Sequence, residues 1–355
     1  MKKALEINME NNIITECWNC CRLAAYLTSN NMAWYIENFI ELIVYDGYLA
    51  FYYEVEGNGC PMPHYEEIIE HKEMKICEPI VPQIISAIDH GGYPIVLLHT
   101  KKVFGEEHEV LFIGYDTDVN VLLGLSYEGP PEYWKVVSFS FDQIESSFQN
   151  ELIILNNDID KRIFYNQINY PASIVFIKQN FDRKVNLIKI YETIFRMLYS
   201  GNIGVRGISM YAGESMRWIQ SYRGVEIYKL YYNMLYNELT NNPEVIKRSF
   251  ETLLGIKKLL ESKKGFCMRM KYLQEYGYIP NIENLEKQCE KLCEYINNAL
   301  KMLEKFRYKR SDVYLEKMQN YFRVAEILDK MMMEQFLKII KEGIDKEWKV
   351  KMGLI

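Results

Sequence analysis

The chain has 355 residues, of which 49% are apolar and 25% are charged, a composition that supports a sizeable core and excludes a disordered protein. No run of residues approaches the roughly 18 consecutive apolar positions of a membrane-spanning helix. No apolar stretch typical of a signal peptide follows the first residues, so we expect a cytoplasmic protein that does not bind membranes.

The charge is divided unevenly along the chain. Residues 1–150 contain 8 Lys and Arg against 23 Asp and Glu, a net charge of −15, whereas residues 151–355 contain 34 against 25, a net charge of +9. Two solvated surfaces of unlike composition would explain this division, and so would two partners, a cation for the acidic part and an anion for the basic part. Nucleic acid is not an expected partner, because the pI is acidic and no dense basic cluster interleaves with aromatic residues.

Both helix and strand patterns occur in the first 150 residues. A helix is predicted to begin at Cys17, because apolar residues recur at helical spacing over residues 17–27, and a second helix is predicted over residues 33–44. Strands are predicted over residues 93–99, 108–115 and 119–125. The turn composition of residues 116–118 joins the last two strands in a β-hairpin.

After residue 180 the pattern is helical almost throughout, with helices predicted over residues 183–200, 225–239, 243–262, 283–306 and 311–345. Cys289 and Cys293 fall on one apolar stripe of the fourth of these helices, which favours a place in the core rather than metal ligation. The chain has eight cysteines and no secretion signal, so we expect free thiols. Cys17-Trp-Asn-Cys20 has no second pair at zinc spacing, and no phosphate-loop or dinucleotide glycine pattern occurs, so we expect no metal site and no bound cofactor. The sequence therefore predicts an α+β protein with a first domain over residues 1–150 and a mainly α-helical domain over residues 151–355.

Cys17 is the first candidate for a catalytic residue. A thiol in the first turn of a helix lies at the positive end of the helix dipole, which favours the nucleophilic thiolate. His108, at the start of a predicted strand, is the natural base, because an imidazolium stabilises a thiolate and relays protons. A helix-borne Cys followed by a strand-borne His is the chain order of papain-like enzymes. A small buried thiol and a structural histidine would produce the same pattern.

Several segments resemble a known family. Residues 16–23 (Glu-Cys-Trp-Asn-Cys-Cys-Arg-Leu) resemble the start of papain-fold peptidases and, more closely, of the butirosin-biosynthesis acyltransferase N-terminal-like family. Residues 92–99 (Gly-Tyr-Pro-Ile-Val-Leu-Leu-His) and 108–116 (His-Glu-Val-Leu-Phe-Ile-Gly-Tyr-Asp) are similar to two strand motifs of that family in order and spacing. Residues 207–218 and 268–274 resemble its C-terminal helices weakly. The resemblance implies a papain-like fold for residues 1–150.

The same resemblance implies an amide-forming acyltransferase of thiotemplated natural-product biosynthesis. The acyl group would pass from the phosphopantetheine thiol of an acyl or peptidyl carrier protein to Cys17, and then to a small amine. A helical domain that covers the cleft would exclude water and favour transfer to the amine. The acidic domain would attract a cationic amine, and the basic domain would dock an acidic carrier.

The rest of the machinery departs from the papain-like pattern. A residue that orients the histidine is expected about 16 positions after His108, where Gly124 stands, so Ser126 is a weak candidate and a Cys–His dyad is the alternative to a triad. Asn11 or Asn12 would supply the side-chain amide of an oxyanion hole. Two other functions stay open: a papain-like cysteine peptidase or thioesterase that uses the same residues, and a binding module without catalysis.

Overall fold

The structure is a computed structural model that describes residues 1–29, 32–45, 50–53, 65–99, 107–128, 133–157, 171–178, 183–199, 204–207, 217–235 and 249–352. The chain divides into two units. The first comprises Met1–Met32, Met62–Asp182 and Ile208–Ser215, and the second comprises Ala33–Pro61, Arg183–Gly207 and Met216–Ile355. The uneven charge follows this division: the first unit contains 11 Lys and Arg against 23 Asp and Glu, a net charge of −12, and the second contains 31 against 25, a net charge of +6.

Strands dominate before residue 183 and helices after it. Up to residue 182 the elements are β1 (Lys2–Ala4), α1 (Cys17–Tyr26), α2 (Ala33–Glu37), β2 (Leu42–Tyr45), β3 (Ala50–Tyr53), a 3₁₀ turn (Tyr65–Glu67), β4 (Ile69–Glu73), α3 (Ile80–Asp89), β5 (Tyr93–His99), β6 (Glu107–Asp116), β7 (Val121–Tyr127), β8 (Trp134–Ser140), α4 (Phe141–Asn157) and β9 (Ala172–Ile177). The later elements are α5 (Leu187–Tyr199), β10 (Gly204–Gly207), β11 (Arg217–Arg223), α6 (Glu226–Lys229), a π-helix (Leu230–Leu235), α7 (Ser249–Glu275), α8 (Glu283–Lys309) and α9 (Asp312–Lys351).

An antiparallel sheet forms the centre of the first unit. Its strands run in the order β4-β9-β5-β6-β7-β8, and β1 pairs with the last residues of β6. Gly114 in β6 permits this pairing, because a Cβ atom there would lie 2.7 Å from the carbonyl oxygen of Lys3. Gly114, which lies in the motif of residues 108–116, therefore has a structural role, because its missing side chain lets β1 pair with β6.

The two faces of this sheet carry different helices. Ile84 of α3 and Ile144 of α4 share a buried cluster with Val110 of β6. On the other side, Arg22 of α1 pairs with Glu109, the neighbour of Val110 in β6. Because successive side chains of a strand point to opposite faces, α3 and α4 cover one face and α1 covers the other.

The second unit combines a four-stranded antiparallel sheet, in the order β10-β11-β2-β3, with long helices. The helix α8 packs against α7 and α9. Its buried face is made of Leu285, Cys289, Leu292, Ile296, Leu300 and Leu303. Arg269 of α7 is buried and donates hydrogen bonds to three backbone carbonyls at the C-terminal end of α2. The last carbonyls of a helix have no partners within the helix, so a buried helix end requires donors of this kind.

The structure confirms the α+β class, the helical C-terminal region, the helix that begins at Cys17 and the hairpin of β6 and β7. The helix predicted over residues 33–44 is wrong beyond residue 37. Phe39 has a left-handed backbone (φ 57°), and residues 42–45 form β2, which pairs with β3 on one side and β11 on the other. The strands β10 and β11 lie in a region predicted to be helical almost throughout. They pair with each other, and β11 also pairs with β2, which is distant in sequence.

The predicted domain boundary at residue 150 differs from the observed division. The helix α4 continues through residue 150, and β9 lies between β4 and β5 in the first sheet. Residues 42–53 pair into the second sheet instead. The pairings of β9 with β4 and β5, and of β2 with β11, join segments about 75 to 180 residues apart, which local patterns do not reveal.

Cys267 and Cys289 form a disulfide between α7 and α8, so the expectation of free thiols is wrong for these two residues. The spacing within α8 could not indicate this bond, because the partner lies on another helix. Among the helices of the described ranges, none is long and apolar enough to cross a membrane.

Candidate functional site

Cys17 is the first residue of α1, and Glu16 precedes it in an extended conformation (φ −130°, ψ 110°). The backbone N–H groups of a first helical turn lack helical partners and create a positive potential that favours a thiolate. The side chains of Cys17 and Trp18 lie outside the described part of the structure. The distance between the Cys17 sulfur and the His108 ring therefore stays a prediction.

A buried polar network surrounds this helix start. Glu16 and Asn19 are 1% and 0% exposed. The Asn19 amide donates a hydrogen bond to the Glu16 carboxylate, and the Tyr65 hydroxyl donates one of 2.7 Å to the Asn19 carbonyl oxygen. These bonds tie the first turn of α1 to the segment before β4 and fix the orientation of the turn that carries Cys17.

A buried ion pair holds α1 on β6. Nη1 of Arg22 lies 2.9 Å and 3.2 Å from the two carboxylate oxygens of Glu109, and the side chains are 0% and 2% exposed. Arg22 follows Cys17 by five residues, about 7.5 Å along a helix axis. Glu109 is adjacent to His108. The pair therefore fixes the helix of the predicted nucleophile on the strand of the predicted base.

An aromatic chain links His108 to the segment that enters α1. Both ring nitrogens of His108 are shielded from solvent, and its ring centroid lies 5.2 Å from that of Tyr127. The Tyr127 ring lies 5.6 Å from Trp134, whose indole N–H donates a hydrogen bond of 2.7 Å to the Ile14 carbonyl. Ile14 stands three residues before Cys17. The contacts thus run from the predicted base to the approach of the predicted nucleophile.

The strand pairing of β6 indicates a different direction for the His108 side chain than the contact with Tyr127 does. His108 stands opposite Leu98 in the ladder of β5 and β6, and Leu98 belongs to the core on the side of α3 and α4. Strict alternation would turn the ring away from α1. The ladder of β5 and β6 is regular through His99 opposite Glu107, so the strand turns His108 to the face of α3 and α4, while its ring contacts Tyr127 at the end of the sheet. An approach of the His108 ring to Cys17 therefore stays a prediction.

His71 of β4 lies near the charge of Arg22. Burial and, second, the positive charge of Arg22 lower the pKa of His71 to about 4. Its Nδ1 atom is buried and forms no hydrogen bond with any described residue. His71 is therefore neutral at neutral pH, and it adds no positive charge to the Arg22–Glu109 pair.

The structure bears on the third member of a triad. Ser126 is buried in β7, and within the described ranges no hydrogen bond joins its hydroxyl to His108. At Gly124, the position expected for the orienting residue, a Cβ atom would lie 2.6 Å from a methyl carbon of Val110. The neighbouring side chains leave no room for a carboxylate or an amide there. Neither position 124 nor Ser126 therefore supplies an orienting group for His108 among the described residues.

The two oxyanion candidates differ in environment. Asn11 is exposed and has a left-handed backbone (φ 59°). Asn12 is buried, and its amide nitrogen lies 3.0 Å from the carbonyl oxygen of Cys20, to which it donates a hydrogen bond. The Asn12 amide would have to give up this bond in order to bind a developing oxyanion.

Sequence reasoning missed the residues that position the site. Asn19, Arg22, Tyr65, His71 and Glu109 had no predicted role. One signal was present: Arg22 is the single charged residue of α1, which is otherwise mostly apolar. A buried charge requires a partner, so Arg22 predicts an acidic partner, but β6 offers Glu107, Glu109 and Asp116 and the sequence does not select among them. The bond between Asn19 and Tyr65 had no comparable signal.

Comparison of the sequence with known protein families gave no match, and a comparison with curated proteins gave no significant match either.

Proposed function

We propose that the chain is a cysteine-dependent acyltransferase that forms amides, with Cys17 as nucleophile and His108 as acid and base in a papain-like first unit. The observation that carries this proposal is the buried Arg22–Glu109 pair, which holds the helix that begins at Cys17 on the strand that begins beside His108. The aromatic chain from His108 to Ile14 supports the same juxtaposition.

Each step of the reaction has a defined proton and leaving group. The Cys17 thiolate attacks the carbonyl carbon of a thioester, and the phosphopantetheine thiol of a carrier protein leaves with a proton from His108. The acyl group is then bound to Cys17 as a thioester. An amine attacks this carbonyl and transfers its proton to His108, the amide bond forms, and the Cys17 thiolate is released.

The charges of the two units suggest separate partners. The first unit, with its net charge of −12, would attract a cationic amine. In the second unit the C-terminal end of α8 is basic: Lys305, Lys309 and Arg310 are exposed, and Tyr308 between them is 86% exposed. We call these four residues the basic turn. An exposed basic and aromatic turn suits an acidic carrier protein.

The direct test is the covalent intermediate. Purified protein is incubated with an acyl group on a phosphopantetheinylated carrier protein, and its intact mass is measured. Wild type should gain the mass of one acyl group. Cys17→Ala should gain none, whereas the matched control Cys20→Ala, three residues further along the same helix, should still be acylated. Mapping of the acyl group to Cys20 or Cys21 would refute the assignment.

A second experiment distinguishes acyl transfer to an amine from hydrolysis by measuring the products formed with and without an added amine. Addition of an amine should release the amide, with free acid as the minor product. Rapid release of acid from simple thioesters or peptides, indifferent to amine and carrier, would instead identify a thioesterase or peptidase with the same residues. Absence of any adduct from wild type, at several donors, would favour a binding module.

A further inference from the structure

Three cysteine sulfurs meet in the second unit, far in sequence from the proposed acyl-transfer site. Cys267 of α7 forms the disulfide with Cys289 of α8, and Cys293 follows one helical turn later. All three Sγ atoms lie within 4.8 Å of one another. Cys289 is fully buried, and the other two residues are partly exposed. Two packed helices thus hold three sulfurs around one point.

The spacing suits a metal ion as well as a disulfide. In a tetrahedral zinc site with bonds of about 2.3 Å to sulfur, the sulfurs lie about 3.8 Å apart. Cys267 and Cys289 are bonded to each other, so after reduction their sulfurs move apart to this distance, while the Cys293 sulfur already lies within 4.8 Å of both. Cys289 and Cys293 present a pair at the four-residue helical spacing, and Cys267 on the facing helix supplies a third ligand. Partial exposure of Cys267 and Cys293 leaves a fourth position open to water.

The surroundings of the cluster are polar and charged. Nζ of Lys263 lies 2.6 Å from a carboxylate oxygen of Asp329, and the Tyr228 hydroxyl donates a 3.0 Å hydrogen bond to the same oxygen. The other oxygen of Asp329 is buried and has no hydrogen-bond partner within the described residues. Lys263, Lys264 and Asp329 all act electrostatically on Cys293. A divalent ion with three thiolates carries a net charge of −1. Lys264 opposes this charge while Lys263 stays paired with Asp329, and the carboxylate of Glu290 adds to it.

Cys293 is not prepared as a nucleophile. Burial, the largest cause, raises the pKa of its thiol to about 11, although the two lysines oppose the effect. At neutral pH the residue therefore stays protonated and reacts slowly with disulfides or electrophiles. A metal ion overcomes such a pKa, because it displaces the proton and binds the thiolate directly.

We propose that Cys267, Cys289 and Cys293 form a binding site for a thiophilic metal ion such as Zn²⁺ when the disulfide is reduced. Two equivalents of a thiol reductant of the glutathione class transfer two electrons to the disulfide and are themselves oxidised to a disulfide, which leaves three cysteine thiols. Binding of one divalent ion then releases three protons and forms three metal–sulfur bonds. Disulfide and metal site are alternative states of the same three residues.

The test uses the full chain, reduced and kept without oxygen. Co²⁺ serves as the probe, because thiolate ligation gives a charge-transfer absorption in the near ultraviolet and tetrahedral geometry gives intense visible bands. We expect one equivalent of Co²⁺ to produce both, and one equivalent of Zn²⁺ to abolish them. Oxidation to the Cys267–Cys289 disulfide before the titration should prevent both signals.

Cys293→Ser separates metal binding from the disulfide, because this residue is outside the disulfide and its variant retains the cross-link between α7 and α8. We expect it to weaken Zn²⁺ binding at least about 100-fold in a chelator competition. The matched controls are Cys77→Ser, an exposed free cysteine, and Cys20→Ser, which removes the Cys-x-x-Cys pair near the N-terminus. Both should bind as wild type. No thiolate band from reduced wild type, or unchanged affinity in Cys293→Ser, would overturn the proposal.

Discussion

Removal of one charge of the Arg22–Glu109 pair should loosen α1 selectively. Glu109→Gln keeps the size of the side chain but removes the carboxylate charge that faces Arg22. The guanidinium is 0% exposed, so water cannot replace the lost partner. The helix that begins at Cys17 would then carry a buried positive charge without this carboxylate.

The expected loss follows from the geometry. Two charges 2.9 Å apart attract each other by about 6 kcal/mol at an effective dielectric constant of 20, and breaking buried pairs by removal of one partner destabilises proteins by about 3–5 kcal/mol. A loss of 3–5 kcal/mol raises an opening constant by about 150- to 5,000-fold. Domains of ordinary stability, about 5–15 kcal/mol, would stay folded or become marginal.

Amide hydrogen exchange measures this loss where it occurs. In Glu109→Gln the amides of α1 should exchange faster by the factor given above, while those of the second unit should be unchanged. The matched control is Glu70→Gln in β4 of the same sheet, whose exposed carboxylate lies 3.5 Å from Lys72 and should contribute less than about 1 kcal/mol. Exchange in Glu109→Gln within tenfold of wild type would refute the view that this pair holds α1 in place.

Three further outcomes are expected. The pKa of His71 is lowered from 6.5 to about 4 in the folded state, so the unfolded chain binds a proton at a higher pH than the folded chain does. The free energy of unfolding should therefore fall as the pH falls from 6.5 towards 4. Urea unfolding should show a loss of about 2 kcal/mol between pH 7 and pH 5 in wild type, and His71→Gln should lack this loss. Arg269→Ala should destabilise the second unit by about 2–4 kcal/mol in urea unfolding, because carbonyls at the end of α2 lose their buried donor, and Arg269→Lys should recover only part of this loss. Substitution of Lys305, Lys309 and Arg310 by Glu should raise the KM for a carrier-bound donor about tenfold, leave the KM for a small thioester unchanged, and have a smaller effect when salt is added. Equal effects on both donors would refute a carrier site at the basic turn. So would an equal effect of substituting Glu for the lysines in the last turn of α9.

Local patterns predicted the elements that depend on local sequence. The start of α1 at Cys17, the strand with His108 and the hairpin to β7 follow from periodicity and turn composition over fewer than about 20 residues. The helix predicted through residue 44 failed because periodicity alone cannot distinguish a short apolar helix from a short strand. The segment became β2 since it has partners on both sides, one of them near residue 220.

The candidate site shows the same limit at the scale of single residues. The proposed nucleophile Cys17 and the proposed base His108 were recognisable as candidates because of their residue types and their positions at the start of a helix and of a strand. The buried contacts around these two residues were not recognisable from the sequence. The Arg22–Glu109 ion pair joins residues 87 apart, and the hydrogen bond between Asn19 and Tyr65 joins residues 46 apart. Such contacts depend on how the sheet and α1 pack, which one sequence does not specify locally.

Two buried ion pairs lie near cysteines of this chain, and stability alone does not explain why charged rather than apolar residues occupy these positions. Lys263–Asp329 acts on Cys293, and Arg22–Glu109 supports the helix of Cys17. Apolar pairs of similar volume are often as stabilising as buried ion pairs, or more so. We therefore expect these charges to act on the geometry and the electrostatic potential near Cys17 and Cys293.

The double variant Arg22→Met with Glu109→Leu distinguishes geometry from stability. Because no charge is left without a partner, we expect its free energy of unfolding to lie within about 1–2 kcal/mol of wild type, unlike that of Glu109→Gln. Loss of the directional pair should nevertheless let α1 shift on β6, and a displacement of about 1 Å between reacting groups lowers rates about 100-fold. Acyl-enzyme formation by the double variant, followed by intact mass over time, should be slowed by this order while hydrogen exchange in α1 stays near wild type. A double variant that is acylated at the wild-type rate would show that the ion pair is an ordinary part of the core, and that Cys17 and His108 are positioned by other contacts.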